Sequence, residues 1–403
     1  MSIFTWKDFK DAVKSSIIFD DSNVEIDFQN QTYLKLNNKS ISKVFNEYPT
    51  VERIVFRNCH FIVSDEFGKC LFSKLKYVKT IELINISFDS RSTVGLNVSW
   101  MFNDCDKLEN VNLVNVVFNV VLPTQTINFS NMFNSCQNLQ RVKFDNIRTE
   151  QIYKPELKTE DYNLVDLQGL FAYCRQLISI DLTGLMFKNI VNMSSFCYCC
   201  LSLEHINIEL LNTQYVRSFQ RLFYDCRSLL GVNTSNLNTS SCSKFDSMFY
   251  GCESLISLDV SNFITNRAES FNCMFYGCVL LTELNLSRFN TSNCWNFSSM
   301  FYGCRSLNSL ELTSFKTSKG YLFYDMFYSC SNLTELNLIT FDLSNANNIK
   351  GMFKNCSKLK HVNLLIPDRF VGSQTDEVFE GIPNLGLRPW LTQNSGVQII
   401  SHQ

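Results

Sequence analysis

Glycine and proline are scarce in this chain, at 14 and 6 of 403 residues. A sequence so poor in both has few free-standing flexible linkers. An excess of one charge is also missing. Lysine plus arginine number 36 against 38 aspartate plus glutamate, a net charge of −2. That balance gives no bulk attraction to nucleic acid or to an anionic membrane. No window of about 18 apolar residues exists, so no membrane-spanning helix is expected. The N-terminal stretch MSIFTWKDFKDAVKSS lacks the apolar core of a signal peptide and carries charges every few residues. The C-terminal SGVQIISHQ carries no sorting tail. A cytoplasmic, reducing location is therefore expected, and the 17 cysteines are read as thiols. There are only four histidines, His60, His205, His361 and His402, and none stands in a catalytic spacing. No phosphate-binding glycine loop, HExxH or nucleophile elbow is present. The expectation is a protein without catalysis and without a cofactor.

Phenylalanine and cysteine are abundant instead. The chain has 35 Phe, and 45% of its residues are hydrophobic against 18% charged, a globular composition. The segment MFYGC occurs at 248–252, 274–278 and 300–304, and MFYSC at 326–330. Each copy begins 26 residues after the last. Aligned on the Phe of MF, the position recurs every 26 residues at Phe379, Phe353, Phe327, Phe301, Phe275, Phe249, Phe223, Cys197 and Phe171. Upstream, Phe133, Phe102, Phe72 and Phe45 follow at looser steps of 38, 31, 30 and 27. About thirteen rungs result, the last one truncated.

Within one rung, Phe245, Met248, Phe249 and Cys252 sit at i, i+3, i+4 and i+7, the spacing of one face of a short helix. Gly251, Gly277 and Gly303 precede the cysteine, where a left-handed residue would end that helix. Leu258 and Val260 alternate around Asp259, which predicts a half-buried strand. The expected fold is an α/β repeat solenoid of the leucine-rich-repeat type, one short strand and one short helix per rung, capped at both ends. A single rung could not fold alone. Its buried side chains contribute about 1.5–3 kcal/mol each, while ordering costs about 1.5 kcal/mol per residue, so rungs must stack to cover one another.

The boundaries follow from the repeat. Residues 1–44 form an N-terminal cap, with a helix expected from Thr5 to Ser16. Residues 45–170 hold irregular repeats with a charged insertion at 148–163. Residues 171–378 are regular, and 379–403 are a truncated repeat and closing cap. The cysteine that ends each unit recurs in ten rungs, from Cys105 to Cys356. Stacked equivalents lie about 5 Å apart and point the same way, which suits buried thiols better than disulfides.

The unit MFYGCESLISLDVSNFIT (248–265) and its copies at 274–292 and 300–318 resemble the BspA-like leucine-rich repeat family, whose unit reads roughly MFxxCxxLxxLDLSxFxTS. The resemblance is close over 170–380 and loose over 45–170. It implies a leucine-rich-repeat solenoid and a family of surface-exposed, adhesin-like repeats.

Two surface ladders are candidates for binding. The outward strand positions give a polar, partly acidic strip containing Asp259, Glu283, Asn285, Glu311, Glu335 and Asn337. Just after the Phe comes a tyrosine stripe, Tyr224, Tyr250, Tyr276, Tyr302 and Tyr328. The function expected is a non-catalytic protein-binding scaffold whose strand face meets a protein with a basic surface. One alternative is a cell-surface adhesin-like repeat protein. A second is a zinc-binding or enzymatic protein centred on FCYCC at 196–200, where Cys197, Cys199 and Cys200 could be thiolate ligands.

Overall fold

The computed structural model describes residues 2–5, 22–28, 32–33, 41–42, 45–63, 70–90, 95–121, 125–151, 163–370 and 377–382. The chain divides into two compact units, Met1–Thr213 and Gln214–Gln403.

The first unit is built on parallel strands. Its larger sheet runs Ser2–Thr5, Asn23–Asp27, Arg53–Val63, Thr80–Ser90 and Asn110–Val120 in order. Arg141–Asp145 and Arg148–Gln151 both pair with Asn110–Val120. A second sheet contains Gly95–Asn97, Thr126–Asn128, Leu164–Asp166 and Asn189–Asn192. The three long strands change direction midway at Asn58, Asn85 and Asn115, whose φ angles are 54°, 55° and 52°. Asparagine tolerates this left-handed conformation better than most residues. It also links the rungs. Asn146 Nδ2 donates to Asn115 Oδ1 at 2.9 Å, Asn115 to Asn85 at 3.0 Å, Asn85 to Asn58 at 3.0 Å, and Asn58 to Asp27 Oδ1 at 3.1 Å.

The Phe alignment read from the sequence is the core. In the first unit Phe72, Phe102, Phe133 and Phe171 stack with centroids 5.1–5.4 Å apart and rings within 8° of parallel. In the second, Phe249, Phe275 and Phe301 repeat the stack at 5.9 and 5.8 Å. All are fully buried.

The helix expected in each rung does not form among the described residues of 70–367. The described residues coil as β-solenoid turns, about ten in all, with essentially no helix, and not as an α/β stack of about thirteen rungs. Among the described residues only 41–42, 45–46, Asp368–Phe370 and 377–378 are helical. The physical reason lies in where the amide protons go. Phe271, Cys273, Phe275 and Gly277 donate to Asn296, Ser298, Met300 and Tyr302 of the next rung at 2.7–2.9 Å. The residues that follow Cys273, Phe275 and Gly277, namely Met274, Tyr276 and Cys278, donate three residues back at 3.1–3.2 Å. Alternate donors are thus committed to the neighbouring rung, so no i→i−4 ladder can propagate. Two left-handed residues bracket the segment, Cys273 at φ 55° and Gly277 at φ 70°. The helical spacing of Phe245, Met248, Phe249 and Cys252 is satisfied all the same, since all four are fully buried.

The expected strand is only partly realised in the second unit. Leu258 and Val260 are buried and Asp259 is exposed, as the alternation requires. Among the described residues, though, only Glu335–Asn337 and His361–Asn363 pair as strands on this side. Of the expected N-terminal helix, Thr5 ends a strand; 6–16, with Trp6, Phe9 and Val13, lie outside the described residues. Arg148–Gln151, at the start of the insertion, is a strand; 152–162 lie outside the described residues.

Candidate functional site

In the second unit, Asp259, Glu283, Asn285, Glu311, Glu335 and Asn337 are all exposed. Four of them have a local task that the sequence reading did not see. Each accepts a hydrogen bond from the amide two residues on, closing the turn that follows. Ser261 N–H donates to Asp259 Oδ1 at 2.9 Å, and Ser287 N–H to Asn285 Oδ1 at 3.1 Å. Thr313 N–H donates to Glu311 Oε1 at 2.8 Å, and Ile339 N–H to Asn337 Oδ1 at 3.3 Å. This is the turn chemistry that favours Asp and Asn generally. The bonds from Ser261 hold the Asp259 carboxyl below its usual range, and those from Thr313 do the same for Glu311. Both therefore remain ionised at neutral pH. The side chains of Glu283 and Glu335 make no hydrogen bond or ion pair among the described residues. Apolar side chains are also exposed in these segments, Ile256, Leu280 and Ile339 at 54%, 46% and 43%, with Leu230 at 44% one rung before Ile256. Leu230 and Ile256 stand one 26-residue period apart, four residues after Cys226 and Cys252, whereas Leu280 is off that register.

The tyrosine stripe is a stack. Tyr224, Tyr250, Tyr276, Tyr302 and Tyr328 pack face to face, with successive centroids 4.3, 4.4, 4.3 and 4.5 Å apart and rings within 9° of parallel. Both faces of Tyr250, Tyr276 and Tyr302 are covered by their neighbours. What reaches solvent is ring edge and hydroxyl. Loss of hydration, then the neighbouring phenols, push the Tyr302 hydroxyl up to about 12.

The ladder cysteines have a specific partner. Nine of the ten thiols donate to the carbonyl of the Phe one rung earlier, among them Cys278 to Phe249 at 3.2 Å, Cys304 to Phe275 at 3.1 Å, Cys330 to Phe301 at 3.0 Å and Cys356 to Phe327 at 2.9 Å. The first unit does the same, with Cys105, Cys136, Cys174 and Cys200 on Phe72, Phe102, Phe133 and Phe171. The thiol is directed at a carbonyl oxygen, not at the next sulfur. Burial pushes the Cys304 and Cys356 thiols up to about 12, so the reactive thiolate is suppressed. Alkylation of the native protein at neutral pH should consume few thiols, and alkylation after unfolding without reductant nearly all 17. A large deficit in the unfolded sample would contradict this arrangement. In the 196–200 cluster, Cys197 and Cys200 are fully buried and only Cys199 is part-exposed. Among the described residues no group of three His, Cys, Asp or Glu converges to hold a metal.

A third ladder escaped the sequence reading. Thr239, Thr265, Thr291 and Thr317 are buried. Thr291 Oγ1 accepts the Lys316 amide at 2.8 Å and donates to the Lys316 carbonyl at 2.9 Å. Thr265 treats Asn290, and Thr317 treats Asp342, in the same way. One hydroxyl thus satisfies both backbone groups of a residue in the next rung. The signal was present as a recurrent Thr in FIT, FNTS and FKTS.

A family model described as Mycoplasma protein of unknown function, DUF285, matches residues 165–283 and 253–364. Together the matches cover just under half of the chain, on the regular repeats. No BspA-like family model matches, and no curated protein matches. Among solved structures, a leucine-rich repeat protein from Bacteroides ovatus is 18% identical, with a TM-score of 0.39 over 79% of this chain and 73% of that one. A TLR13–ssRNA13 complex is 16% identical, with a TM-score of 0.24 over 89% of this chain. The chain spans about half the length of that second protein, 54%.

Proposed function

We propose that this protein is a non-catalytic protein-binding scaffold of the cytoplasm, and that its partner docks on the polar strip of the second unit. The observation that carries the reading is the pair of uncommitted carboxylates, Glu283 and Glu335, on the same strip as the ionised Asp259 and Glu311. Aligned carboxylates raise the local potential and steer a basic partner. The exposed Leu230, Ile256 and Leu280 supply the apolar contact that such an interface needs at its centre. The tight rung-to-rung bonding elsewhere leaves this strip as a rigid, preorganised surface.

The test separates binding charge from turn closure. Glu283→Lys combined with Glu335→Lys touches no hydrogen bond of the fold, and exposed sites of this kind shift stability by no more than about 0.5 kcal/mol each. Glu311→Gln keeps the acceptor for Thr313. Proteins recovered from native lysate by the wild type should be lost with the double lysine variant and at raised salt. A folded double variant that keeps its partners at wild-type affinity refutes the strip as the docking surface.

A further inference from the structure

We infer that the tyrosine stack is an oxidative cross-linking site, at which phenols of successive rungs join covalently as dityrosine. Three observations place the reacting atoms. The rings of Tyr276, Tyr302 and Tyr328 are parallel within 7° and their centroids are only 4.3 and 4.5 Å apart. Loss of hydration, then the neighbouring Tyr224 and Tyr276 phenols, raise the Tyr250 hydroxyl, which fits rings that point the same way. Parallel rings with hydroxyls on the same side bring the ortho carbon of one over the ortho carbon of the next. All five side chains are part-exposed, so an oxidant can reach the ring edges.

The chemistry needs a one-electron oxidant, such as hydrogen peroxide acting through a haem peroxidase. Each phenol loses one electron and one proton to become a phenoxyl radical. Two adjacent radicals form one carbon–carbon bond between their ortho carbons. The two ortho hydrogens then move to the oxygens and restore aromaticity. Overall, two phenols and one peroxide yield one biphenol and two waters. Radical coupling between separate molecules is bimolecular, whereas the stack holds the partners in contact, which makes the step effectively unimolecular. Exposure alone points elsewhere. Tyr77, Tyr215 and Tyr321 are the more exposed, at 40%, 45% and 48%. Tyr173 and Tyr198 are neighbours but meet edge to face, at 62° and 5.3 Å. The stack is thus the place where parallel geometry and access coincide. Each link would tie one rung to the next.

The experiment oxidises the full-length chain with peroxidase and hydrogen peroxide at low protein concentration and maps cross-linked peptides by mass spectrometry. Each link removes two hydrogen atoms. In the wild type, links should join stack members on successive rungs, and none should join Tyr173 to Tyr198. Two conservative variants keep the ring stack while removing one phenol. With Tyr302→Phe, Tyr328 should lose its links entirely, because its stacked phenol is gone. With Tyr276→Phe, Tyr302 should link to Tyr328 alone. Links concentrated on Tyr77, Tyr215 or Tyr321, links only between separate chains, no links in the wild type, or the same Tyr328 links in both variants would each overturn the assignment.

Discussion

Phe275→Ala should destabilise the second unit by about 3–5 kcal/mol, read as a shift of the denaturant midpoint. The ring is fully buried and lies between Phe249 and Phe301, at 5.9 and 5.8 Å. Removing it leaves a void in the middle of a stack whose spacing is set by backbone bonds on either side, so the rungs cannot close over it. Phe275 N–H and its carbonyl are bonded to Met300 and to Cys304 Sγ, and these bonds survive the substitution. The loss is therefore one of packing alone. Tyr276→Ala, one residue on, should cost less, because the edge of that ring is already in solvent. Equal losses at the two positions would mean that the tyrosine stack, too, belongs to the core.

Thr291→Val is the second large effect, about 2–4 kcal/mol. Valine has the shape of threonine but no hydroxyl, so the amide and carbonyl of Lys316 both lose their partner. Each buried unsatisfied group costs about 1–3 kcal/mol. Thr291 itself is fully buried, and its two bonds to the Lys316 backbone are part-buried. Thr291→Ser restores the hydroxyl and gives up only a methyl group, so its stability should return most of the way to wild type. If the valine variant matches wild type in chemical denaturation, the hydroxyl is not what joins these rungs.

The repeat, its register and its buried positions were legible in the sequence, because hydrophobic spacing reports burial whatever the backbone does. Phe245, Met248, Phe249, Cys252, Leu255, Leu258, Val260 and Phe263 are all buried, as that spacing requires. The same spacing misled on secondary structure. Residues three and four apart also face one way in a tight turn, and what excludes the helix is non-local. Phe275 N–H goes to Met300, in the next rung, and no local pattern announces that choice. The glycine before the cysteine was correctly read as left-handed, with Gly277 at φ 70°. Its counterpart four residues earlier is Cys273 at φ 55°, and nothing in that residue type signals it. The exposure of Asp259, Asn285, Glu311 and Asn337 followed from alternation, whereas their closing of the next turn did not. The threonine ladder was hidden because a recurrent Thr beside Ser and Asn reads as surface. Its role appears only when Thr291 is seen against Lys316, 25 residues away.

Bonds from one rung to the next, and not helices, hold the described rungs of residues 70–367. Far-UV circular dichroism of the full-length protein tests this most directly. The expected spectrum is one of β-structure and turns without the paired minima of α-helix. A spectrum with strong helical minima, as one short helix in every rung would give, would contradict it.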